Sequence, residues 1–272
     1  MNQFWDRVLK FCLETTASIS ERLMQDFGSI QTRQKTDGSL VTQADQWSDQ
    51  QLRDAIAKTF PEHGVLTEET INVLPDNDWC WVIDPIDGTT NFARGVPLWA
   101  ISLGLLYQGT PVFGFVYVPP VQQAFHGFWY GESGLTGYQG AYLNNQPIHT
   151  SKDYPSGTQL FNLCARSKAI LKVPFPCKVR MLGVASYNLM LVAAGVAMGG
   201  VEATPKIWDI AAAWVIIKAA GGELVFIDEK IRFPLQPGVD YGQVSLPSLG
   251  ISRHELIPKF LPLVKCILSD KK

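Results

Sequence analysis

The sequence lacks the features that identify several classes of protein. Its five cysteines are scattered and form no C-x-x-C pair, and its four histidines lie far apart. Zinc sites need closely spaced Cys and His ligands, so no zinc site is predicted. Thiols without a disulfide pattern suit a reducing compartment, and we therefore expect a cytoplasmic protein.

Strong charge and a targeting segment are also missing. The net charge of -2 provides no basic field for nucleic acid or for an anionic membrane surface. Residues 1–13 carry charges among their apolar positions, unlike a secretory signal. Residues 181–201 are uncharged and long enough to cross a bilayer, but their polar residues and glycines favour a buried core segment. We therefore expect no nucleic-acid partner and no membrane partner.

The chain has 272 residues, of which 46% are hydrophobic, enough for one large domain or two closely packed ones. Periodicity and turn residues predict helices over 3–27, 43–59, 185–197 and 208–220, and strands over 99–107, 112–118, 123–129, 160–164 and 223–227. The earlier strands predict an antiparallel sheet, and the later alternation of strands and helices predicts a mixed or parallel one. The Ser-, Pro- and Gly-rich stretch 150–158 predicts a boundary between domains 1–150 and 151–272.

The most informative stretch is 81–92, with the sequence WVIDPIDGTTNF. A hydrophobic run ends in Asp84 and Asp87, and Gly88 and Thr89 follow at once. Because Asp is depleted in strands, we expect both carboxylates at or just past the end of a strand. A helix or tight turn that begins at Gly88 would offer free backbone N–H groups to a phosphate.

Two further acidic residues stand out beside Asp84 and Asp87. Glu68 follows another short hydrophobic strand, and Asp209 begins an otherwise apolar helix. An isolated carboxylate on so apolar a segment needs a partner or a metal ion. Ligands that are all oxygen select Mg²⁺, Mn²⁺ or Ca²⁺ over zinc. Phosphate-ester hydrolysis needs charge neutralisation and an activated water, and two such ions bridged by Asp84 could supply both.

Simpler interpretations remain open for these residues when each is taken alone. Asp209 is an ordinary N-cap candidate, and the Glu68-Glu69 pair is a candidate for a solvated loop. Thr42 is a good N-cap for the helix 43–59, and Asp45 in its first turn is a candidate capping residue. Alternatively, Asp45 could accept a proton from the Thr89 hydroxyl, which would make a carboxylate–hydroxyl–water relay.

These motifs together resemble the inositol monophosphatase family, a branch of the lithium-sensitive, Mg²⁺-dependent sugar phosphatases. The resemblance rests on 81–92, on 208–213 with the following Ala-Gly-Gly, on 40–45 and on Glu68-Glu69. It covers nearly the whole chain. It implies an αβαβα layered sandwich, with an antiparallel sheet in the N-terminal part that carries Glu68 and the Asp84–Asp87 motif, and a mixed sheet in the C-terminal part that carries Asp209. It also implies a homodimer, with the active site between the two parts.

The resemblance implies two to three Mg²⁺ ions in each active site. Glu68, Asp84 and the Ile86 carbonyl would hold the first ion. Asp84, Asp87 and Asp209 would hold the second, and a weaker third site would involve Glu68.

The resemblance also implies the catalytic roles. Gly88 and Thr89 would bind the phosphate through backbone N–H groups. Thr89 and Glu68 would position the attacking water, with Asp45 behind Thr89. No phosphoenzyme is expected, since no His or Cys nucleophile is evident.

The substrate pocket is implied in the same way. Family members that bind inositol use a glutamate seven residues before the late aspartate, and Glu202 stands seven residues before Asp209 here. The backbone near Ala185 would line the same pocket, and Asp87 and Asp209 would also face the substrate. A simpler interpretation of Glu202, a surface carboxylate at the end of a strand, stays open.

Two positions depart from the family pattern. Thr67 stands where the family usually has Gly before the Glu-Glu pair, and Val184 stands where it usually has Ser or Thr. The first change is expected to alter the mobility of the metal loop, and the second to remove a hydroxyl near the substrate.

The function we expect is Mg²⁺-dependent hydrolysis of a small polyol phosphate, with inositol 1-phosphate as the leading substrate. The alternatives with the same chemistry are histidinol phosphate, fructose 1,6-bisphosphate and 3′-phosphoadenosine 5′-phosphate. An alternative of a different class is a regulatory family member that binds a protein or RNA partner.

Overall fold

The computed structural model describes residues 2–29, 32–34, 40–167, 174–228 and 232–265. The helices are α1 (Asn2–Asp26), α2 (Gln43–Thr59), α3 (Thr89–Arg94), α4 (Ala185–Ala193), α5 (Ile207–Ala219) and α6 (Ile257–Val264). The strands are β1 (Thr32–Gln34), β2 (Leu40–Thr42), β3 (Gly64–Thr67), β4 (Trp79–Asp87), β5 (Ala100–Tyr107), β6 (Thr110–Val118), β7 (Gln123–Phe128), β8 (Gly140–Leu143), β9 (Gln146–Ile148), β10 (Leu160–Leu163), β11 (Lys178–Arg180), β12 (Ala197–Glu202), β13 (Glu223–Phe226) and β14 (Ser248–Ile251).

Two large sheets alternate with layers of helices. The seven-stranded sheet has the order β3-β4-β5-β6-β7-β8-β9 and is antiparallel except for the parallel pair β3–β4. The five-stranded sheet has the order β11-β10-β12-β14-β13 and mixes parallel with antiparallel pairs. Helices α1 and α2 cover one face of the larger sheet, α4 and α5 lie between the sheets, and α6 contacts β14. The layered αβαβα sandwich is confirmed.

Separate apolar clusters hold the layers together. The Trp5 ring of α1 stacks against the Phe113 ring of β6, with centroids 6.4 Å apart. Ile216 of α5 belongs to the cluster between the two sheets. Phe161 of β10 stacks on Phe260 of α6 at 5.1 Å. These side chains are almost fully buried, so the hydrophobic effect acts at every interface between layers.

A row of glycines brings α5 very close to the larger sheet. Gly104 pairs with Gly114 across β5 and β6, and Gly114 pairs with Gly127 across β6 and β7. A Cβ atom at Gly104 would lie 2.8 Å from the Cβ of Ala211, and one at Gly114 would overlap the backbone of Ala212. The helix backbone therefore approaches the sheet more closely than side chains at these positions would allow. This approach sets the position of the helix whose first turn carries Asp209.

The prediction of one helix over 185–197 is wrong for the residues after Ala193. Helix α4 ends at Ala193, Gly195 adopts the left-handed conformation with φ 72°, and the strand β12 begins at Ala197. Helix and strand are both buried almost throughout, so the sequence 185–202 shows no periodicity that separates them. In the part of the chain that the structure describes, no helix is long and apolar enough to cross a membrane.

We predict that Gly114→Ala lowers the free energy of unfolding by about 1–3 kcal/mol, because the new methyl group pushes α5 away from the sheet. Chemical denaturation of the purified protein would measure the change. The matched control is Gly157→Ala, since a Cβ at Gly157 would meet no atom within 4 Å. Equal effects of the two substitutions would contradict the close packing described here.

Candidate active site

Three aspartates from two different layers meet at the edge of the larger sheet. One carboxylate oxygen from each of Asp84, Asp87 and Asp209 lies within 4.8 Å of the others. Asp84 and Asp87 are buried in β4 on either side of an irregularity in its pairing with β5, and Asp209 is half-buried in the first turn of α5. Both β4 aspartates were expected at or past the end of the strand. They lie within its last four residues, one on each side of the irregularity, and their carboxylates meet Asp209 of α5.

The electrostatics of this cluster favour a bound cation. Burial holds the pKa of Asp84 well above its usual range, and the charges of the neighbouring carboxylates, Glu68 first, raise it further. Burial also raises the pKa of Asp87 to about 6, although hydrogen bonds from Ser186 and Ala185 lower it. The pKa of Asp209 is raised by burial and then by the charge of Asp87. A set of oxygen ligands with this much mutual repulsion fits a hard divalent cation such as Mg²⁺.

Glu68 stands beside the cluster rather than inside it. It follows β3, and its backbone N–H donates to the Ile83 carbonyl at 3.1 Å. Among the described residues, the group that could share one ion consists of Asp84, Asp87 and Asp209. Glu68 is nevertheless near enough for its charge to raise the pKa of all three.

The two carboxylate oxygens of Asp45 accept hydrogen bonds from two different residues. Its Oδ2 accepts hydrogen bonds from the Thr42 N–H at 2.7 Å and from the Thr42 hydroxyl at 2.6 Å, which confirms both Thr42 as the N-cap and Asp45 as its capping partner. Its Oδ1 accepts a hydrogen bond from the Thr89 hydroxyl at 3.2 Å. The same hydroxyl lies 3.1 Å from the Ile86 carbonyl oxygen. The capping interpretation and the contact with Thr89 are therefore compatible.

The turn before α3 closes over the same region. Gly88 is the residue before the helix and has a φ of 93°, which is readily accessible only to glycine. A Cβ at Gly88 would lie 2.9 Å from Cγ2 of Val184. This tight turn places Gly88 and Thr89 on the wall of the cavity that contains the aspartates.

The cavity has a volume of about 1070 Å³ and extends from the aspartates to Glu202. Glu202 is only 4% exposed, so its interpretation as a surface carboxylate is wrong. Its Oε1 accepts a hydrogen bond from Asn188 Nδ2 at 2.7 Å. Burial raises the pKa of Glu202 to about 8, although the bond from Asn188 lowers it. Ala185 lines the cavity between these two ends.

The sequence analysis missed the contacts that hold Asp87. Its Oδ2 accepts from the Ser186 N–H at 2.6 Å and the Ser186 hydroxyl at 2.5 Å, and its Oδ1 accepts from the Ala185 N–H at 3.1 Å. Val184, at the N-cap of α4, makes no side-chain capping bond. Asp87 therefore caps α4 from another layer, and Ser186 supplies a hydroxyl that Val184 lacks. The polar residues at the start of an otherwise apolar helix, Ser186 among them, were the available signal.

Asp209 is also held by backbone. Its Oδ2 accepts from the Lys206 N–H at 2.6 Å. Lys206 is the N-cap of α5 and Asp209 is the third helical residue, so the N-cap interpretation of Asp209 is wrong. A carboxylate in this first turn interacts favourably with the helix dipole. The contact turns Asp209 towards β4.

The layered fold and the cluster of oxygen ligands beside Thr89 define the class of metal-dependent phosphatases that act on phosphate monoesters. The family model described as the inositol monophosphatase family matches residues 5–259, and the chain belongs to this family. It is 31% identical over 222 residues to the fructose-1,6-bisphosphatase/inositol-1-monophosphatase of Aquifex aeolicus, covering 76% of this chain and 81% of that protein. It is 30% identical over 227 residues to the histidinol-phosphatase of Chlorobaculum parvum, covering 79% and 83%. The solved structure of a Thermotoga maritima IMPase matches with a TM-score of 0.80 and 26% identity, covering 96% of this chain and 98% of that one.

We predict that Asp84→Asn raises the stability of the metal-free protein, because it removes one charge from a set of repelling carboxylates. The same substitution should abolish the stabilisation by Mg²⁺, which is about 2.7 kcal/mol at a concentration one hundred times the dissociation constant. Thermal denaturation with EDTA and with MgCl₂ would measure both effects. Asp76→Asn, which changes an exposed aspartate, is the control. Undiminished stabilisation of the Asp84 variant by Mg²⁺ would refute the assignment of a cation to this cluster.

Proposed function

We propose that this phosphatase hydrolyses a phosphate monoester of a small polyol with the help of Mg²⁺, and that inositol 1-phosphate is its leading substrate. The observation that carries the proposal is the group of three aspartates whose oxygens lie within 4.8 Å of one another. Thr89 and Glu202 both line the cavity that contains these aspartates. A phosphate at the aspartates would therefore leave its alcohol group facing Glu202.

The proposed ligand sets are those that the family resemblance implies. Glu68, Asp84 and the Ile86 carbonyl would hold one ion, Asp84, Asp87 and Asp209 would hold the second, and Glu68 would contribute to a weaker third site. The ions would neutralise the phosphate charge and promote the ionisation of water. The clustering of Asp84, Asp87 and Asp209 supports the second set most directly.

The chain's own residues would bind the phosphate and orient the water. The N–H groups of Gly88 and Thr89 hold the phosphate oxygens. The Thr89 hydroxyl, which donates to Asp45 at 3.2 Å, keeps its lone pairs for a water molecule. Glu68, which lines the same cavity, would help to position that water. Asp45 then receives the Thr89 proton as the water is deprotonated, which supplies general-base catalysis through one hydroxyl.

The position of Glu202 in the cavity favours a substrate whose alcohol part is an uncharged polyol. Asn188 Nδ2 and the Cys164 thiol both donate to the Glu202 carboxyl group, and the lone pairs that these bonds leave would accept from a substrate hydroxyl. In its ionised form, which predominates above the pKa of about 8, Glu202 would repel a second phosphate group, which disfavours fructose 1,6-bisphosphate and 3′-phosphoadenosine 5′-phosphate. Ala185 would contribute to the pocket wall, since its N–H already donates to Asp87.

Three further properties belong to this proposal. We propose a cytoplasmic homodimer, inhibited by Li⁺ at roughly millimolar concentration as the family resemblance implies, with a boundary between two parts of the chain near residue 150. The regulatory alternative remains the candidate of a different class. The net charge of -2 is unfavourable for an RNA partner, and a complete set of acidic ligands favours an enzyme.

Phosphate release from a panel of substrates tests the proposed function. The panel consists of inositol 1-phosphate, histidinol phosphate, fructose 1,6-bisphosphate and 3′-phosphoadenosine 5′-phosphate, each with MgCl₂, with EDTA, and with MgCl₂ plus LiCl. We expect the highest kcat/KM for inositol 1-phosphate, no release in EDTA and inhibition by LiCl. A higher kcat/KM for histidinol phosphate would replace the leading substrate, and no release from any member would favour the regulatory alternative.

Glu202→Gln tests the substrate pocket separately. At a pH above the Glu202 pKa of about 8 the carboxyl is ionised, and the glutamine keeps an oxygen for Asn188 but removes that charge. We predict that KM for inositol 1-phosphate rises about tenfold while KM for p-nitrophenyl phosphate stays the same. Steady-state kinetics would measure both constants, with the exposed Glu132→Gln as control. An equal change for the two substrates would remove Glu202 from the pocket.

A further inference from the structure

The loop that carries Glu68 is tied to α2 by a chain of hydroxyl groups. The Thr67 and Thr70 hydroxyl oxygens lie 3.2 Å apart, and the Thr70 hydroxyl donates to Asp49 Oδ2 at 2.9 Å. Asp49 is fully buried in α2 and forms an ion pair with Arg53 at 2.9 Å. None of these four residues belongs to the ligand sets or to the relay described above.

The direction of each hydrogen bond in this series of side chains follows from which of them can donate and which can only accept. An ionised Asp49 can only accept, so the single hydroxyl proton of Thr70 points to Asp49. Thr67 must then donate its own hydroxyl proton to Thr70. The lone pairs of the Thr67 oxygen accept from the N–H groups of Thr70 at 3.1 Å and Ile71 at 3.2 Å. Hydrogen bonds aligned in this way polarise and strengthen one another.

The same loop fixes the backbone of Glu68. Asn72 Nδ2 donates to the carbonyl oxygens of Thr67 at 2.8 Å and Glu68 at 3.1 Å. The Glu68 N–H is bonded to the Ile83 carbonyl of β4 at 3.1 Å. Both peptide groups of Glu68 are therefore held, and the hydroxyl chain stabilises the turn that contains Asn72.

We propose that Asp49, Thr70 and Thr67 are positioning residues that order the Glu68 loop before a metal ion binds. The step from Glu68 to the metal rests on the proposed function, whereas the ordering of the loop does not. A glycine at position 67, as in the usual family pattern, could not make the hydroxyl contacts. The contacts of the Thr67 hydroxyl therefore restrict the loop before the ion binds, and binding loses less conformational entropy.

Thr70→Val and Thr70→Ser form the matched pair that tests this proposal. The valine has nearly the shape of threonine but no hydroxyl, and the serine keeps the hydroxyl. Thr70 is exposed, so both variants are expected to fold. Thr158→Val is the control, because it removes an exposed hydroxyl that bonds to Ser156 at 2.9 Å in another loop.

Hydrogen–deuterium exchange of the metal-free protein gives the first measurement. We expect the amides of Thr70 and Ile71 to exchange about threefold to tenfold faster in Thr70→Val, which corresponds to the loss of about one partly buried hydrogen bond. Thr70→Ser and Thr158→Val should exchange like the wild type. Unchanged exchange in Thr70→Val would overturn the proposal whether or not the protein releases phosphate.

Titration with Mn²⁺, followed by electron paramagnetic resonance, gives the second measurement. We expect Thr70→Val to bind one class of Mn²⁺ about threefold to tenfold more weakly, with kcat at saturating Mn²⁺ close to that of the wild type. Thr70→Ser should restore the affinity. Faster exchange with unaltered Mn²⁺ binding would overturn the link from the loop to the metal. A wild-type protein that binds Mn²⁺ but releases no phosphate would overturn the proposed function and leave the positioning role standing.

Discussion

Repulsion among Asp84, Asp87 and Asp209 is the constraint on which the rest of the site depends. Placing three carboxylates within 4.8 Å of one another, two of them buried, is unfavourable for the folded chain. Backbone N–H groups of Ile86, Ser186 and Lys206 each donate to one of them. Such bonds stabilise the charged forms but do not cancel the charge, because the pKa values of all three remain raised. A bound cation would therefore relieve the repulsion that remains in the cluster.

The fold meets this constraint by making each aspartate part of a rigid element. Asp84 and Asp87 belong to β4, the second strand of the seven-stranded sheet, and Asp209 belongs to a helix packed directly on glycines of that sheet. Asp87 also caps α4, so the charge that repels its neighbours stabilises a helix N-terminus. The aspartates that form the site therefore also connect the larger sheet with the helix layer beside it. Movement of either layer would change the spacing of the ligands.

Features whose determinants are local in the sequence were predicted well. The bounds of α2, 43–59, match the prediction because Thr42 and Asp45 form a capping box within four residues. The prediction of one helix over 185–197 was wrong because a segment buried on all sides loses its periodicity. The Ser186–Asp87 contact joins residues 99 positions apart, and the Thr70–Asp49 contact joins residues 21 positions apart. No short pattern encodes such pairs, although the family resemblance identified the aspartates themselves.

At both positions that depart from the family pattern, hydroxyl groups of this protein hold a neighbouring acidic residue or its loop. Val184 provides no hydroxyl, but Ser186 donates one to Asp87 two residues later. Thr67 replaces a flexible residue and ties the Glu68 loop to a buried aspartate through Thr70. In each case the side chain that changes is not itself a carboxylate of the cluster, and the neighbouring contacts hold the acidic residues in place. The chemistry of phosphate release is therefore expected to be conserved, whereas under the proposed function substrate choice would depend on the buried Glu202, which Asn188 holds at the wall of the same cavity.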